Sequence, residues 1–168
     1  MPRALVLYHS LYGNTKAIAI SLAKGIEESA IVADCLSIDE VDLSQIKNYD
    51  FLAIGGPTHR IGLSKPMKAF LQKLKSANPR GMKGFSFDTR NHSRLNKKRW
   101  LMLENSAARR IEGKMKRMKI SIIQPRQSAI VFGREGPLES GAEDRFRELG
   151  KEIGIILGAE GAQSATSS

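Results

Sequence analysis

The chain has 168 residues, of which 41% are hydrophobic and 26% charged, a composition that fits one globular domain and excludes a disordered protein. No apolar run approaches the roughly 18 residues of a membrane span, and the apolar start is too short for a signal peptide, so we expect a cytoplasmic protein. Cys35 is the single cysteine, which excludes an intramolecular disulfide and a cysteine-based zinc site.

The net charge of +10 is concentrated in one segment. Twelve of the 27 Lys and Arg residues, but only two of the 17 Asp and Glu residues, lie between Arg90 and Arg126. A regional surplus of this kind predicts a surface that docks to an acidic redox protein, anionic lipid or nucleic acid, although a basic face can also serve solubility alone. Nucleic acid is disfavoured, because the segment has no interleaved aromatic residues and no known binding module.

Strands and helices are predicted to alternate along the first half of the chain. An apolar run at 3–9 predicts a buried strand, and 15–28 predicts an amphipathic helix. A second strand follows at 30–37, then a short helix or turn, and then the most apolar strand of the chain at 49–57. Ser64 is predicted to cap the helix that comes next.

The second half of the chain continues this alternation. A fourth strand is predicted at 83–88, and a longer amphipathic helix at 96–118 carries basic residues on its exposed face. The fifth strand is predicted at 128–133, preceded by a short edge strand at 120–123.

The last predicted helix begins near Ser140, which forms a capping box with Glu143. Residues 158–168 offer nothing to bury and are predicted to form a flexible tail, so the domain covers 1–157. Five strands that alternate with helices, several of them apolar on both faces, predict an α/β fold. Its five-stranded parallel sheet is covered by helices on both sides, as a three-layer sandwich.

Polar loops follow three of the predicted strands, and ligands of open parallel sheets bind beyond the carboxyl ends of strands. "HSLYGNT" follows the first strand at a helix N-terminus, where unpaired N–H groups attract an anion such as a phosphate. "GGPTHRIG" and "DTRNH" follow the third and fourth strands. A polar turn with a helix cap would also account for the first loop by itself.

Three stretches of the sequence resemble the flavodoxin family. "HSLYGNTKAIA", residues 9–19, resembles the flavodoxin phosphate loop, roughly Ser/Thr-x-Thr/Tyr-Gly-x-Thr. "DFLAIGGPTHRIGLSKPMKAFL", residues 50–71, is similar to the second flavin loop, in which Gly-x-Pro-Thr follows the third strand. "GFSFDTR" and "FGREGPLESGAEDRF" resemble the fourth and fifth strand regions. The likeness covers about residues 3–157 and implies the flavodoxin strand order 2-1-3-4-5.

The resemblance implies FMN held without a covalent bond, with its phosphate on the loop 10–15 and its ring between the loops 56–62 and 88–92. FMN carries the electrons in that family, so no side chain need act as an acid or base, and no metal is implied. The implied FMN-binding residues are Ser10, Leu11, Tyr12, Gly13, Asn14, Thr15, Pro57, Thr58, His59, Arg60, Asp88, Thr89, Arg90 and Asn91.

Leu11 and Tyr12 depart from the Thr-rich version of the phosphate loop, and two ring-stacking positions depart from the family pattern. Flavodoxins commonly place the ring between two aromatic side chains, whereas His59 and Asn91 occupy these places here. A cationic or imidazole environment would favour the anionic reduced flavin and raise its reduction potentials, which we take as a hypothesis. His9, His59 and His92 follow neighbouring strands, but no carboxylate pattern supports a metal site. His59 or His92 is instead a candidate to relay a proton or orient a quinone.

The resemblance implies an FMN protein that transfers electrons between redox partners. One alternative is an FMN-dependent NAD(P)H:quinone reductase, and another is a flavodoxin-fold interaction module that lacks flavin and acts through its basic helix. The predicted partners are a redox protein or a quinone, with an acidic protein at the basic segment 90–126. Flavodoxins are usually acidic, whereas this chain is basic. We therefore do not infer from the resemblance alone that this chain is a low-potential electron shuttle.

Overall fold

The computed structural model describes residues 1–58, 62–92 and 106–167. These residues form a six-stranded sheet, four α-helices and a 3-10 helix at Leu43–Asn48. The strands are β1 (Arg3–Tyr8), β2 (Val32–Ser37), β3 (Phe51–Pro57), β4 (Lys83–Asn91), β5 (Ser121–Ile122) and β6 (Gln127–Val131). The helices are α1 (Asn14–Glu27), α2 (Lys65–Ser76), α3 (Ala107–Arg117) and α4 (Ala142–Thr166).

Two strands share the fifth position of the predicted order. The sheet is parallel, in the order β2-β1-β3-β4-β5, and β6 also pairs with β4. Since β3 pairs with β4 from Lys83 to Thr89, β5 and β6 lie along its other edge, beside its start and its end. Pro125 lies in the break between them, and a residue without an N–H cannot continue the ladder. The predicted order is confirmed, and β5 is the short edge strand predicted at 120–123.

Helices cover both faces of the sheet. The core beneath α1 and α4 includes Leu22 and Phe146, and it receives Val6 from β1. The core beneath α2 and α3 includes Leu74 and Ile111, and it receives the alternate β1 residues Leu5 and Leu7. Strands buried on both faces read as continuous apolar runs, which is why their positions could be predicted. The predicted three-layer α/β sandwich is confirmed.

The backbones of α1 and α4 touch at two glycines. A Cβ atom added at Gly150 would lie 2.2 Å from the carbonyl oxygen of Leu22, and one added at Gly25 would lie 1.9 Å from that of Arg147. Side chains flank this contact, because the Arg147 guanidinium and the Lys151 ammonium both pair with the carboxylate of Glu28. The close approach of the two helices therefore depends on the absence of side chains at Gly25 and Gly150.

The starts of three helices test the predicted caps. Ser64 caps α2 as predicted, because its Oγ accepts a bond from the Met67 N–H at 3.3 Å. α3 begins after Ser106, whose Oγ accepts from the Arg109 N–H at 3.1 Å. The predicted helix at 96–118 extends beyond α3 into residues outside the described part of the chain. The predicted capping box at Ser140 is wrong. α4 begins at Ala142, its N-cap residue is Gly141 at φ 81°, and no side chain caps it.

The segment predicted as a tail, 158–168, continues α4 as far as Thr166. Leu157 is 2% exposed, and a Cβ added at Gly161 would lie 2.9 Å from the ring of Pro2. The carboxylate of Glu160 also pairs with the ammonium of Lys83. This segment thus packs against the start of the chain, which its own composition does not indicate. No helix among the described residues is both long and apolar enough to cross a membrane.

Candidate functional site

The loop between β1 and α1 leaves a helix N-terminus open. Gly13 adopts a left-handed conformation at φ 92°, and its N–H donates to Oγ of Ser10 at 3.0 Å. The 14-residue helix α1 then begins at Asn14, and no side chain caps it. Because the first-turn N–H groups of a helix carry partial positive charge and lack helical acceptors, this loop presents an anion-binding end.

This helix end faces a cavity of about 780 Å³ at the carboxyl ends of β1, β3, β4 and β6. That volume lies within the roughly 300–1,000 Å³ of small-molecule and cofactor sites. The residues that line the cavity are Ser10, Leu11, Tyr12, Asn14, Thr15, Pro57, Thr58, Thr89, Arg90, Asn91, Val131, Gly133 and Arg134.

Ten of the fourteen residues that the resemblance implies for an FMN site are among these lining residues. Gly13 lies between two of them and shapes the loop without forming a wall. Asp88 is completely buried behind the wall. His59 and Arg60 lie outside the described residues. The structure therefore brings the three predicted segments together at one cavity. The third differs from the prediction in one respect, because residues 88–91, predicted as a loop, form the end of β4.

A buried carboxylate joins the second loop to α3. The hydroxyl of Thr58 donates to Oδ2 of Asp88 at 2.6 Å, and it accepts a bond from the Ala107 N–H at 2.9 Å. The same Oδ2 accepts from the Ala108 N–H at 3.2 Å, and Nε of Arg90 lies 3.4 Å from the carboxylate. Asp88 thus holds Thr58 and the N-terminus of α3 in place and does not line the cavity itself.

Thr89 connects all three predicted loops. Its hydroxyl lies 2.9 Å from the hydroxyl of Thr15 in the first turn of α1, and both side chains are buried. Its carbonyl accepts a bond from the Thr58 N–H at 2.9 Å. The hydroxyl of Thr15 is therefore held against Thr89, and the backbone N–H groups of the first turn and the hydroxyl proton of Ser10 are further donors for an anion at this loop.

A fourth loop, after β6, also lines the cavity and was missed by the sequence prediction. Its residues Gly133 and Arg134 lie in the wall. Nδ2 of Asn91 donates to the carbonyl of Gly133 at 2.9 Å, and Nδ2 of Asn14 donates to the carbonyl of Glu135 at 3.1 Å. This loop lacks the hydroxyl groups that distinguish the other three, so its composition gave no signal. Its position after a parallel strand is the feature that could have identified it.

The charges in the cavity wall favour an anionic ligand. Both charged residues among the described lining residues, Arg90 and Arg134, are cationic. The guanidinium of Arg134 also lies 6.0 Å from the ring centre of Tyr12, which is half exposed at the rim. Because the Asp88 carboxylate beside Arg90 offsets the charge of that arginine, the positive potential of the cavity comes mainly from Arg134 and the uncapped end of α1.

The histidine and cysteine side chains offer little other chemistry in the described residues. His92 packs its ring against Phe132, with 4.9 Å between ring centres. Among the residues that the structure describes, no three His, Cys, Asp or Glu side chains converge to hold a metal ion. Burial raises the pKa of the Cys35 thiol to about 11, so this thiol stays protonated near neutral pH and is a poor nucleophile.

Comparisons with known proteins support one family. The sequence profile described as Flavodoxin matches residues 6–149. A protein named probable flavodoxin 1, from Bacillus subtilis (strain 168), is 31% identical over 94 residues, which cover 55% of this chain and 60% of that protein. A protein named NAD(P)H dehydrogenase (quinone), from Cupriavidus metallidurans, is 28% identical over 49% of this chain and 51% of its own length. The matches thus span about half the length of these curated relatives.

The fold is shared with solved structures. A flavodoxin from the domain Archaea superposes with a TM-score of 0.75 at 24% identity, over 92% of this chain and 98% of its own length. At that identity the likeness shows the fold, and the family rests on the profile, which matches well over half of the chain. The predicted resemblance is confirmed: the chain belongs to the flavodoxin family, whose members bind FMN.

Proposed function

We propose that this chain binds FMN in the cavity described above and transfers electrons between redox partners. The observation that carries the proposal is the juxtaposition of an uncapped helix N-terminus with two cationic side chains around a cofactor-sized cavity. Family membership supports the same cofactor. A cytoplasmic location belongs to the proposal as well, since a lone free cysteine suits a reducing compartment.

The residues present fit the two ends of FMN. The first-turn N–H groups of α1 and the hydroxyl proton of Ser10 would hold the phosphate. Thr58 and Asn91 would face the ring from the second and third loops. FMN supplies the redox chemistry when bound, because its ring takes up and gives up electrons. Arg134 would stabilise negative charge on a reduced ring, which would raise its reduction potentials, whereas the charge of Arg90 is offset by Asp88.

Gly13→Asp is expected to weaken FMN binding about hundredfold, because it would place a carboxylate against the ligand phosphate (about 2.7 kcal/mol in affinity). Titration of the purified chain with FMN, followed by its visible absorption, measures the dissociation constant. Gly81→Asp is the matched control, because Gly81 has φ 90° and an open Cβ position as Gly13 does, but lies in the turn before β4. If both variants lost the same FMN affinity, the phosphate would not bind at the loop 10–15.

An FMN-dependent NAD(P)H:quinone reductase is the second candidate, favoured by the relative named NAD(P)H dehydrogenase (quinone). Stopped-flow mixing of the FMN-loaded chain with NADH or NADPH separates the two functions. For an electron carrier we expect the band of the oxidised flavin at about 450 nm to persist for minutes after mixing, because no protein donor is present. Bleaching within seconds by NADH or NADPH alone, followed by return of the band when a quinone is added and reoxidises the flavin, would identify the reductase. A chain that binds no FMN would instead support the interaction module without flavin.

A further inference from the structure

The two helix layers of the sandwich carry very different charge. α2 and α3 together hold nine Lys and Arg residues, all exposed, and one acid, Glu112. Glu112 is nearly buried, and its Oε1 lies 3.1 Å from Nζ of Lys116 and 3.3 Å from Nη1 of Arg126. α1 and α4 hold five basic and six acidic residues on the opposite side. The outer surface of α2 and α3, which we call the α2–α3 face, is therefore cationic.

A groove of about 450 Å³ lies on this face and concentrates the charge. Five of the seven residues that line it are cationic, and a Cβ added at Gly113 would meet no atom within 4 Å, so the groove is open there. Cations held this close raise the local potential, and anions between them lower their mutual repulsion. The lining residues are Leu63, Lys68, Arg109, Arg110, Gly113, Lys114 and Arg117.

The groove begins beside the candidate FMN cavity. α3 starts at Ala107, whose N–H donates to Oγ1 of the cavity-lining residue Thr58 at 2.9 Å. Gly62 lies against Arg110, since a Cβ added there would be 2.4 Å from Cδ of that arginine. α2 and α3 both begin at the carboxyl edge of the sheet, so the cations of their first turns lie on the side of the cavity.

We propose that the redox partner is an acidic protein that docks its carboxylates on the α2–α3 face, at the end beside the cavity. This inference rests on the proposed electron-carrier function. A short-lived redox complex needs a small interface with complementary charge, which this face supplies close to the flavin. In the part of the chain that the structure describes, the large exposed apolar side chains lie off α2 and α3, so these two helices supply no apolar anchor for insertion into lipid.

The test compares two oxidised acceptors of opposite charge, acidic plant plastocyanin and basic cytochrome c. The FMN-loaded chain is reduced and mixed with each by stopped flow. One electron leaves the reduced flavin and converts Cu(II) to Cu(I) or Fe(III) to Fe(II). At low ionic strength we expect a second-order rate constant at least tenfold higher with plastocyanin, falling as salt is added.

The variant Lys68→Gln/Lys114→Gln is expected to slow the reaction with plastocyanin about fivefold and not to slow that with cytochrome c. Lys24→Gln/Lys151→Gln removes the same net charge from α1 and α4 and should change either rate less than twofold. Reoxidation of each variant by neutral 1,4-benzoquinone checks that the flavin itself is competent. If Lys68→Gln/Lys114→Gln were reoxidised by benzoquinone at the original rate and also reacted with plastocyanin at the original rate, this inference would be overturned. The carrier function would still stand.

Three other results would also overturn the docking inference. The first is a faster reaction with cytochrome c than with plastocyanin. The second is an equal loss of rate in both double variants, since net charge alone would explain it. The third is that, at about 0.15 M salt, the chain binds phosphatidylserine vesicles or duplex DNA more tightly than plastocyanin, and that this binding is lost in Lys68→Gln/Lys114→Gln but not in Lys24→Gln/Lys151→Gln. A chain without bound flavin in its visible spectrum would overturn the proposed function first, and this inference with it.

Discussion

Gly150→Ala is expected to lower the free energy of unfolding by about 3 kcal/mol, although alanine favours helices over glycine by about 1 kcal/mol. The new Cβ would lie 2.2 Å from the Leu22 carbonyl oxygen and 2.9 Å from Cα of Gly25. Both neighbours are backbone atoms that cannot move by changing a rotamer, so α1 and α4 must separate. Urea unfolding followed by circular dichroism, at one fixed FMN concentration, measures the loss.

Gly158→Ala is the control for this prediction, because it is the same substitution in the same helix. A Cβ at Gly158 would meet no atom within 4 Å, so we expect a stabilisation of about 0.5–1 kcal/mol from helix propensity alone. If Gly150→Ala also proved neutral or stabilising, the two helices would not be in backbone contact in solution. The close pairing of α1 with α4 would then be wrong.

Local patterns predicted the layers of the fold but not the contacts between distant segments. Strands buried on both faces are visible as apolar runs, and amphipathic helices are visible by their period. The helical end of α4 is different, because it depends on Pro2 and Lys83, which are far away in sequence. The break between β5 and β6 was foreseeable from Pro125, which cannot donate to a ladder.

The same distinction separates the predicted from the missed parts of the site. Loops rich in hydroxyl and amide groups at strand ends identified three walls of the cavity. The fourth wall is held by Asn14 and Asn91 through bonds to carbonyls 121 and 42 residues away, and no local motif encodes such pairings. Asp88 lies in the predicted third segment, at the end of β4, but its side chain contacts the start of α3, which only the three-dimensional packing decides.

Asp88→Ala is expected to lower the free energy of unfolding by about 3–5 kcal/mol and to weaken FMN binding as well. The change would leave the buried Ala108 N–H and the Thr58 hydroxyl without this acceptor, and it would remove the carboxylate beside Arg90. Because Thr58 lines the cavity, a loss of its anchor would let the second loop shift away from a bound ligand. Urea unfolding gives the stability, and FMN titration under native conditions gives the affinity.

Asp88→Asn separates the two effects. An asparagine oxygen in the place of Oδ2 can still accept from the Ala108 N–H and from Thr58, so the N-terminus of α3 stays attached and only the pairing with Arg90 is lost. We expect this variant to lose about 1–2 kcal/mol of stability and to keep most of its FMN affinity. Asp39→Ala, at an exposed position, should change neither quantity. If Asp88→Ala lost stability but bound FMN with unchanged affinity, Asp88 would support α3 alone. The expected effect of Asp88 on the cavity through Thr58 would then be wrong.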